Sequence, residues 1–298
     1  MPPISHASRS RLSPLGLALL VIASVGWGLN FPIMKHLLTE WPPLSSRGLC
    51  GIVGAGTLAL FALARQQNLT VPRAVWLRLL IVSTLAIGGW TAFMGLALLW
   101  LRASEAAMLG ISIPVWVAFL AWPILGERLS AVRAVSLTVA LAGIAVLIGG
   151  NGIDASLEKL PGILCALAGA VCVGLGTALS KHFPLGMPPL SLAARQIGLG
   201  CLPIAIVGLA VEQPQLAALS SIGWASMVYM TLIQFCLCYV CWFAALERLP
   251  AATASIGTLL VPVVGVLAAG AMLHEPLGLR ELAALVITLG GVAVALRS

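Results

Sequence analysis

Pro42-Pro43-Leu44-Ser45 recurs as Pro188-Pro189-Leu190-Ser191, and Lys35-His36 just ahead of it recurs as Lys181-His182, both at an offset of 146 residues. Pro114 pairs with Pro262, Glu127 with Glu275 and Arg47 with Arg195 at an offset of 148, so a two-residue shift near the second apolar segment of each half reconciles the series. Self-similarity at one period marks a unit used twice. The residues between the matches say what that unit is. Of 298 residues, 60% are hydrophobic and 8% charged, far below the roughly 25% charged residues of a soluble domain. A spanning helix needs about 20 apolar residues. Pro, Gly and charge divide the chain into ten such segments, at 15–36, 44–64, 77–100, 105–125, 131–150, 161–181, 190–211, 222–246, 252–273 and 280–297.

Five segments per unit is an odd number, so the second unit enters the membrane from the opposite side. The expected fold is an all-α polytopic membrane protein, with ten transmembrane helices in two inverted-topology five-helix repeats. Residues 1–14 would form a cytoplasmic tail, 15–150 the first repeat, 151–160 an extracytoplasmic linker and 161–298 the second repeat. With both termini inside, Arg9, Arg11, Arg65, Arg73, Arg78, Arg128, Arg133, Lys181, Arg248 and Arg297 fall on the cytoplasmic side. Lys35, Arg47, Arg102, Lys159, Arg195 and Arg280 remain outside or within helices, a bias of ten to six that favours N-in, C-in. The first segment follows Arg9 and Arg11 like a signal peptide, but its length and the nine spans after it indicate an uncleaved helix. The formal charge of +7 is dispersed at helix ends, which excludes a nucleic-acid patch. All seven Cys lie within segments, as small hydrophobes rather than a disulfide framework. Cys238-x-x-Cys241 has no second pair, and neither a metal nor a cofactor is expected.

Inverted repeats with paired interruptions are a plan of secondary transporters, whose site lies near the bilayer midplane. Trp27, Asn30, Phe31 and Met34 share one face of the first segment. They line a cavity or form a packing face with Asn30 as an interhelical hydrogen-bonding residue. Trp90 and Phe93 share a face of the third segment, and Ser112, Trp116 and Phe119 one of the fourth. Central Trp residues suit an aromatic or amphipathic ligand. Gln234 in the eighth segment is the second candidate polar contact. Thr177 and Thr258 complete the expected substrate cavity of Trp27, Asn30, Phe31, Trp90, Phe93, Ser112, Trp116, Thr177, Gln234 and Thr258.

Pro114 and Pro262 each remove a donor and crowd the carbonyls of Gly110 and Thr258, so they are hinge or kink candidates. Arg47 and Arg195, a turn inside opposite faces, are candidate mouth residues that meet a substrate carboxylate or snorkel to the interface. All nine acidic residues fall in loops or near helix ends. With no central carboxylate for a proton relay, facilitated movement is expected, and with no central charge to compensate a strongly charged cargo, a neutral or zwitterionic one. Glu127 and Glu275 are expected to complement the N-termini of the fifth and tenth segments. No catalytic residues are expected: an intramembrane enzyme would need a constellation the chain lacks, and a scaffold would not need midplane Asn, Gln, Pro and Trp.

The Trp27-Gly28-Leu29-Asn30-Phe31 run, Gly126-Glu127-Arg128-Leu129-Ser130 and its counterpart His274-Glu275-Pro276-Leu277, together with the five-plus-five repeat, resemble the EamA branch of the drug/metabolite transporter superfamily. Within it the chain is most similar to bacterial aromatic amino-acid exporters of the YddG type. The resemblance covers nearly the whole chain. It implies a multi-pass protein of the bacterial inner membrane, a cavity lined mainly by segments 1, 3, 4, 6, 8 and 9, and export of amino acids and related metabolites. Nucleotide-sugar or drug carriage and a proton-coupled version are the alternatives within the superfamily. The implied partners are a small-molecule substrate and the lipid bilayer, with a monomer as the simplest unit. Val173-Gly174-Leu175-Gly176-Thr177-Ala178 stands where the first half has Trp27 to Pro32, so the two cavity walls should differ in bulk.

Overall fold

Residues 13–126, 131–132, 135, 138–139, 142, 153–249, 253 and 257–297 are described by the structure, a computed structural model. The first repeat supplies α1 (Pro14–Leu37), α2 (Pro43–Ala64), α3 (Arg73–Trp100) and α4 (Ala103–Leu125). The second supplies α5 (Ile153–His182), α6 (Pro189–Glu212), α7 (Ser221–Leu246), α8 (Leu260–Leu273) and α9 (Leu279–Arg297). Among the described residues, seven helices are long and apolar enough to cross a membrane, and Leu260–Leu273 and Glu281–Val294 are shorter apolar stretches. The expected fifth segment lies largely outside the described residues, and Glu127 lies outside them.

The repeated Pro-Pro-Leu-Ser starts a helix both times. Pro42 and Pro188 are extended caps, and Pro43 and Pro189 take the first helical position, where a missing N–H costs nothing. The stops are paired too. Gln66 (φ 56°) and Gln213 (φ 46°) follow α2 and α6, and Gly126 (φ 71°) and His274 (φ 53°) cap α4 and α8, all left-handed.

Interruptions inside helices are paired in the same way. α3 carries a π segment at Thr84–Gly89 and α7 one at Tyr229–Leu237. α4 breaks at a turn over Ile111 and Ser112, just before Pro114, and α8 begins after a turn at Thr258 and Leu259, just before Pro262. The sequence points to the two prolines, which stand at the start of the helical stretch after each turn. The π segments contain no Pro and are not foreseen from it.

Glycine permits the central seam between repeats. A Cβ on Gly48 would run into Ala205 N, and one on Gly208 would lie 2.5 Å from Ser45 N, so α2 and α6 touch backbone to backbone, as small residues allow in membranes. The first helix of each repeat packs on the other repeat. α1 lies against α7 and α8, with Gly16 at Leu249, Gly26 at Cys238 and Gly28 at Val261 and Val264. α5 lies against α3 and α4, with Gly162 at Leu101, Gly169 at Phe93 and Trp90, and Gly174 at Trp116. Trp76, Trp100, Trp122 and Trp224 are exposed, as an interfacial belt requires. Trp41 falls near the end of the first segment, where the sequence alone reads it as a belt residue, but it is buried, and its Nε1 donates to Gln215 O at 2.7 Å.

Gly48→Val should lower the thermal midpoint of the detergent-purified protein or abolish its folded yield, since overpacking of this kind costs about 1–3 kcal/mol or more. Gly56→Ala, where a Cβ meets nothing within 4 Å, should be neutral or stabilising by up to about 1 kcal/mol. Equal effects of the two substitutions would contradict the seam.

Candidate functional site

The break in α4 is sealed locally. Ile111 N donates to Met108 O and Ser112 N to Leu109 O, each at 3.0 Å, and Ser112 Oγ donates to the same Leu109 carbonyl at 2.7 Å. Ser112, expected to line a cavity, is therefore fully buried with its hydroxyl engaged in closing the turn. Thr258 O, expected to be freed by Pro262, accepts from Val261 N at 3.0 Å. What the breaks contribute is shape: Gly110, with no side chain, ends the first half of α4 and leaves room above it.

Aromatic rings fill that room. A Cβ on Gly110 would lie 3.4 Å from Trp90 Cη2 and 3.9 Å from Phe31 Cζ. On the α5 side, one on Gly169 would lie 3.4 Å from Phe93 Cβ and 3.5 Å from Trp90 Cε3. Gly265 of α8 closes the layer, 3.2 Å from Phe31 Cδ2 by the same measure. Phe31, Trp90 and Phe93 thus form one aromatic layer among five helices, floored by Gly110, Gly169 and Gly265. Trp116 lies beyond it on Gly174. Thr177 is half-buried one turn farther along α5.

Asn30 and Gln234 stand level with this layer. α1 and α7 run antiparallel, with Gly16 against Leu249 at one end and Glu40 accepting from Ser220 N and Oγ, both at 2.7 Å, at the other. Tyr229 OH reaches from the π segment to Gly26 O at 2.8 Å. Asn30, one turn past Gly26 on α1, falls beside the π segment that carries Gln234. Both residues are 8% exposed, and Asn30 Oδ1, Gln234 Oε1 and Trp116 Nε1 have no hydrogen-bond partner among the described residues. Buried polar atoms are almost always paired, so three orphans among ten expected site residues are informative.

Trp27 belongs to a neighbouring cluster. Its ring meets Tyr239 edge-on at 5.6 Å and Trp242 at 5.9 Å, over Ala23, Cys238 and Cys241. The two arginines diverge. Arg195 donates Nη2 to Leu69 O at 2.7 Å and Nε to the same oxygen at 3.2 Å, tying α6 to the loop before α3. Arg47, expected at a mouth or snorkelling, is instead 2% exposed inside the helix bundle.

One face of the molecule is bridged by carboxylates from one repeat to the other. Glu212 accepts from Leu44 N at 3.0 Å and from Ser45 N at 2.7 Å, and Glu275 from Ala103 N at 2.7 Å and Ser104 N at 3.0 Å. Glu275 thus complements a helix N-terminus as expected, but that of α4 rather than of the helix following it. Arg102 Nη2 joins Glu105 at 3.0 Å and Glu281 at 3.3 Å, while Lys159 Nζ reaches Glu105 at 2.6 Å. The hydrogen bonds from Ser220 hold the Glu40 carboxyl below its ordinary range, helped by His36. That contact is therefore complete above the ordinary carboxylate pKa and is lost as pH falls through the lowered one.

With this geometry in place, the comparisons with known proteins agree. Residues 14–149 and again 160–297 match the EamA-like transporter family, and the chain belongs to that family. It is 28% identical to the uncharacterized transporter YvbV of Bacillus subtilis, over 93% of this chain and 89% of that protein. It is 29% identical to a "probable amino-acid metabolite efflux pump" of Salmonella typhimurium, over 93% of each chain, and 28% identical to one of Escherichia coli, over 92% of each. A solved crystal structure, 21% identical, aligns with a TM-score of 0.69 over 94% of this chain and 96% of its own, which shows the shared fold alone. The chain is a multi-pass membrane transporter of two EamA repeats.

Because Asn30 Oδ1 and Gln234 Oε1 have no partner to lose among the described residues, Asn30→Leu and Gln234→Leu should keep or raise the thermal midpoint while lowering transport at least severalfold. Were the two side chains interhelical hydrogen-bonding residues, their removal would destabilise by about 1–3 kcal/mol, and a matching loss of stability would contradict the site.

Proposed function

We propose that the chain exports amino acids, aromatic or otherwise hydrophobic or neutral, and related metabolites across the bacterial inner membrane by facilitated alternating access. The observation that carries this reading is the aromatic layer of Phe31, Trp90 and Phe93 at the α4 break, level with buried, unpartnered oxygens of Asn30 and Gln234. Binding sites for small molecules pair an apolar lining with a few polar groups that fix orientation. The names of the Salmonella and E. coli relatives support the cargo class. In this reading ten helices form two inverted five-helix repeats with both termini cytoplasmic, a single copy suffices, and the protein is a carrier rather than an enzyme.

Alternating access needs two faces that close in turn. The N-in topology puts the C-terminal end of α1 outside, on the face crossed by Glu40, Glu212, Glu275 and the Arg102–Glu281 pair. This arrangement is then closed outward. Glu212 and Glu275 at their helix ends each contribute about 1 kcal/mol, and an ion pair such as Arg102–Glu281 about 0–1 kcal/mol. A lock of a few kcal/mol is within reach of a ligand that binds one state better. The paired π segments and proline turns supply the deformable points, because irregular backbone there is already satisfied locally.

Liposomes containing the purified protein should release labelled Phe, Trp, Leu or Thr down a concentration gradient with or without a pH gradient, and a sugar nucleotide should stay inside. No flux of any amino acid would overturn the export reading, and flux only with a pH gradient would overturn the facilitative one. Glu212→Gln with Glu275→Gln should increase labelling, by an impermeant thiol reagent added from outside, of a cysteine placed at Gly110. Unchanged labelling would contradict the outward lock.

A further inference from the structure

The sequence places no charge at the centre of a segment, but the structure buries one near the start of a segment. Arg47 is 2% exposed. Its Cδ lies against Gly95 of α3, so close that a Cβ there would come within 2.7 Å. Cys201, Cys50 and Tyr239, on α6, α2 and α7, are within electrostatic reach of its charge. Helices of both repeats thus act on one buried guanidinium, and Tyr239 in turn meets the Trp27 ring.

Among the described residues nothing compensates this cation. Arg47 makes no ion pair or hydrogen bond to any described residue, and its buried Nε is an orphan. It stands in the first turns of α2, where the helix dipole is positive and disfavours a cation. Glu212, the carboxylate at that helix end, is engaged with Leu44 N and with Ser45 N and Oγ. Its repeat counterpart Arg195 has its guanidinium satisfied by Leu69 O, so the repeat does not require an unpaired arginine. A buried charge left without a partner is strongly destabilising, and ionisable groups at membrane depth mark binding sites or pathways. An arginine fork matches a carboxylate in shape and charge.

The geometry points to Arg47 as an internal carboxylate site, which takes the carboxylate of the transported molecule and brings it beside the aromatic layer. The site deepens the export reading by assigning the group through which the cargo is held, and it extends the accepted cargo to simple aromatic carboxylic acids. It stands or falls separately from amino-acid flux.

The test uses the full chain in detergent at constant chloride, with the thermal midpoint followed against L-phenylalanine, L-phenylalaninamide, 3-phenylpropionate and inorganic phosphate. The two carboxylates should raise the midpoint at concentrations roughly ten- to hundredfold below the amide, the range expected for a charge-assisted hydrogen bond, and phosphate should not match them. Arg47→Gln should erase the difference between acid and amide, and Arg47→Lys should keep part of it. An amide as effective as the acid in the unmodified protein would overturn the site, as would phosphate equal to the carboxylates, no response to any carboxylate, or an undiminished difference in Arg47→Gln. Should Arg47→Gln fail to fold, the acid–amide comparison in the unmodified protein and in Arg47→Lys decides. Parallel efflux assays separate the two claims. Phenylalanine and its amide carried equally would sink the site and leave the export reading, whereas Arg47-dependent binding of 3-phenylpropionate without amino-acid flux would leave the site and sink the cargo.

Discussion

Hydrocarbon offers the backbone no hydrogen-bond partner, so each place where a helix departs from regular pairing at membrane depth must be closed by the protein itself. This chain makes such departures in pairs. The π segment of α3 answers that of α7, and the proline turn of α4 answers that at the start of α8. Ser112 seals the turn in α4, and Tyr229 pins the π segment of α7 to α1. The aromatic layer sits among these four points; of the buried polar atoms without a partner among the described residues, those of Asn30 and Gln234 stand level with it and that of Arg47 lies near the start of α2.

The exchange of first helices explains why the layer lies between the repeats. α1 belongs by sequence to the first repeat but packs on α7 and α8, while α5 packs on α3 and α4. Each wall therefore combines residues of both halves. The two first helices differ in bulk: where α1 carries Trp27, Asn30 and Phe31, α5 carries Gly174 and Gly176. Gly174 accepts Trp116 of α4 and Gly176 accepts Ala86 of α3, each at a distance that a Cβ would violate.

Much of this is legible in the residues. The repeated Pro-Pro-Leu-Ser announces the starts of α2 and α6, because proline at a first helical position carries its own physical reason. Pro114 and Pro262 mark the turns because each lacks a donor and crowds the carbonyl four residues earlier. The π segments carry no such residue and arise from packing, with Gly88 meeting Gly200 O and Gly54 meeting Phe235, contacts distant in the chain. Arg47 misleads because one turn inside a helix is where a snorkelling arginine sits; only its burial against Gly95 reveals otherwise. Trp41 misleads likewise, its indole N–H finding Gln215 rather than the interface. Ser112 and Glu275 show that a polar residue near a break or a helix end can be read correctly as structural or capping only once its partner is known.

The central claim is that the two repeats move against one another around the layer, opening the face that Glu40, Trp41 and Glu212 now bridge. Its most direct test is the distance distribution between spin labels at Thr39 and Leu216, on opposite repeats at that face, in a background with the native cysteines replaced and the protein in lipid. A second, longer distance should appear, with a population that depends on added amino acid. A single short distance under every condition would contradict the account.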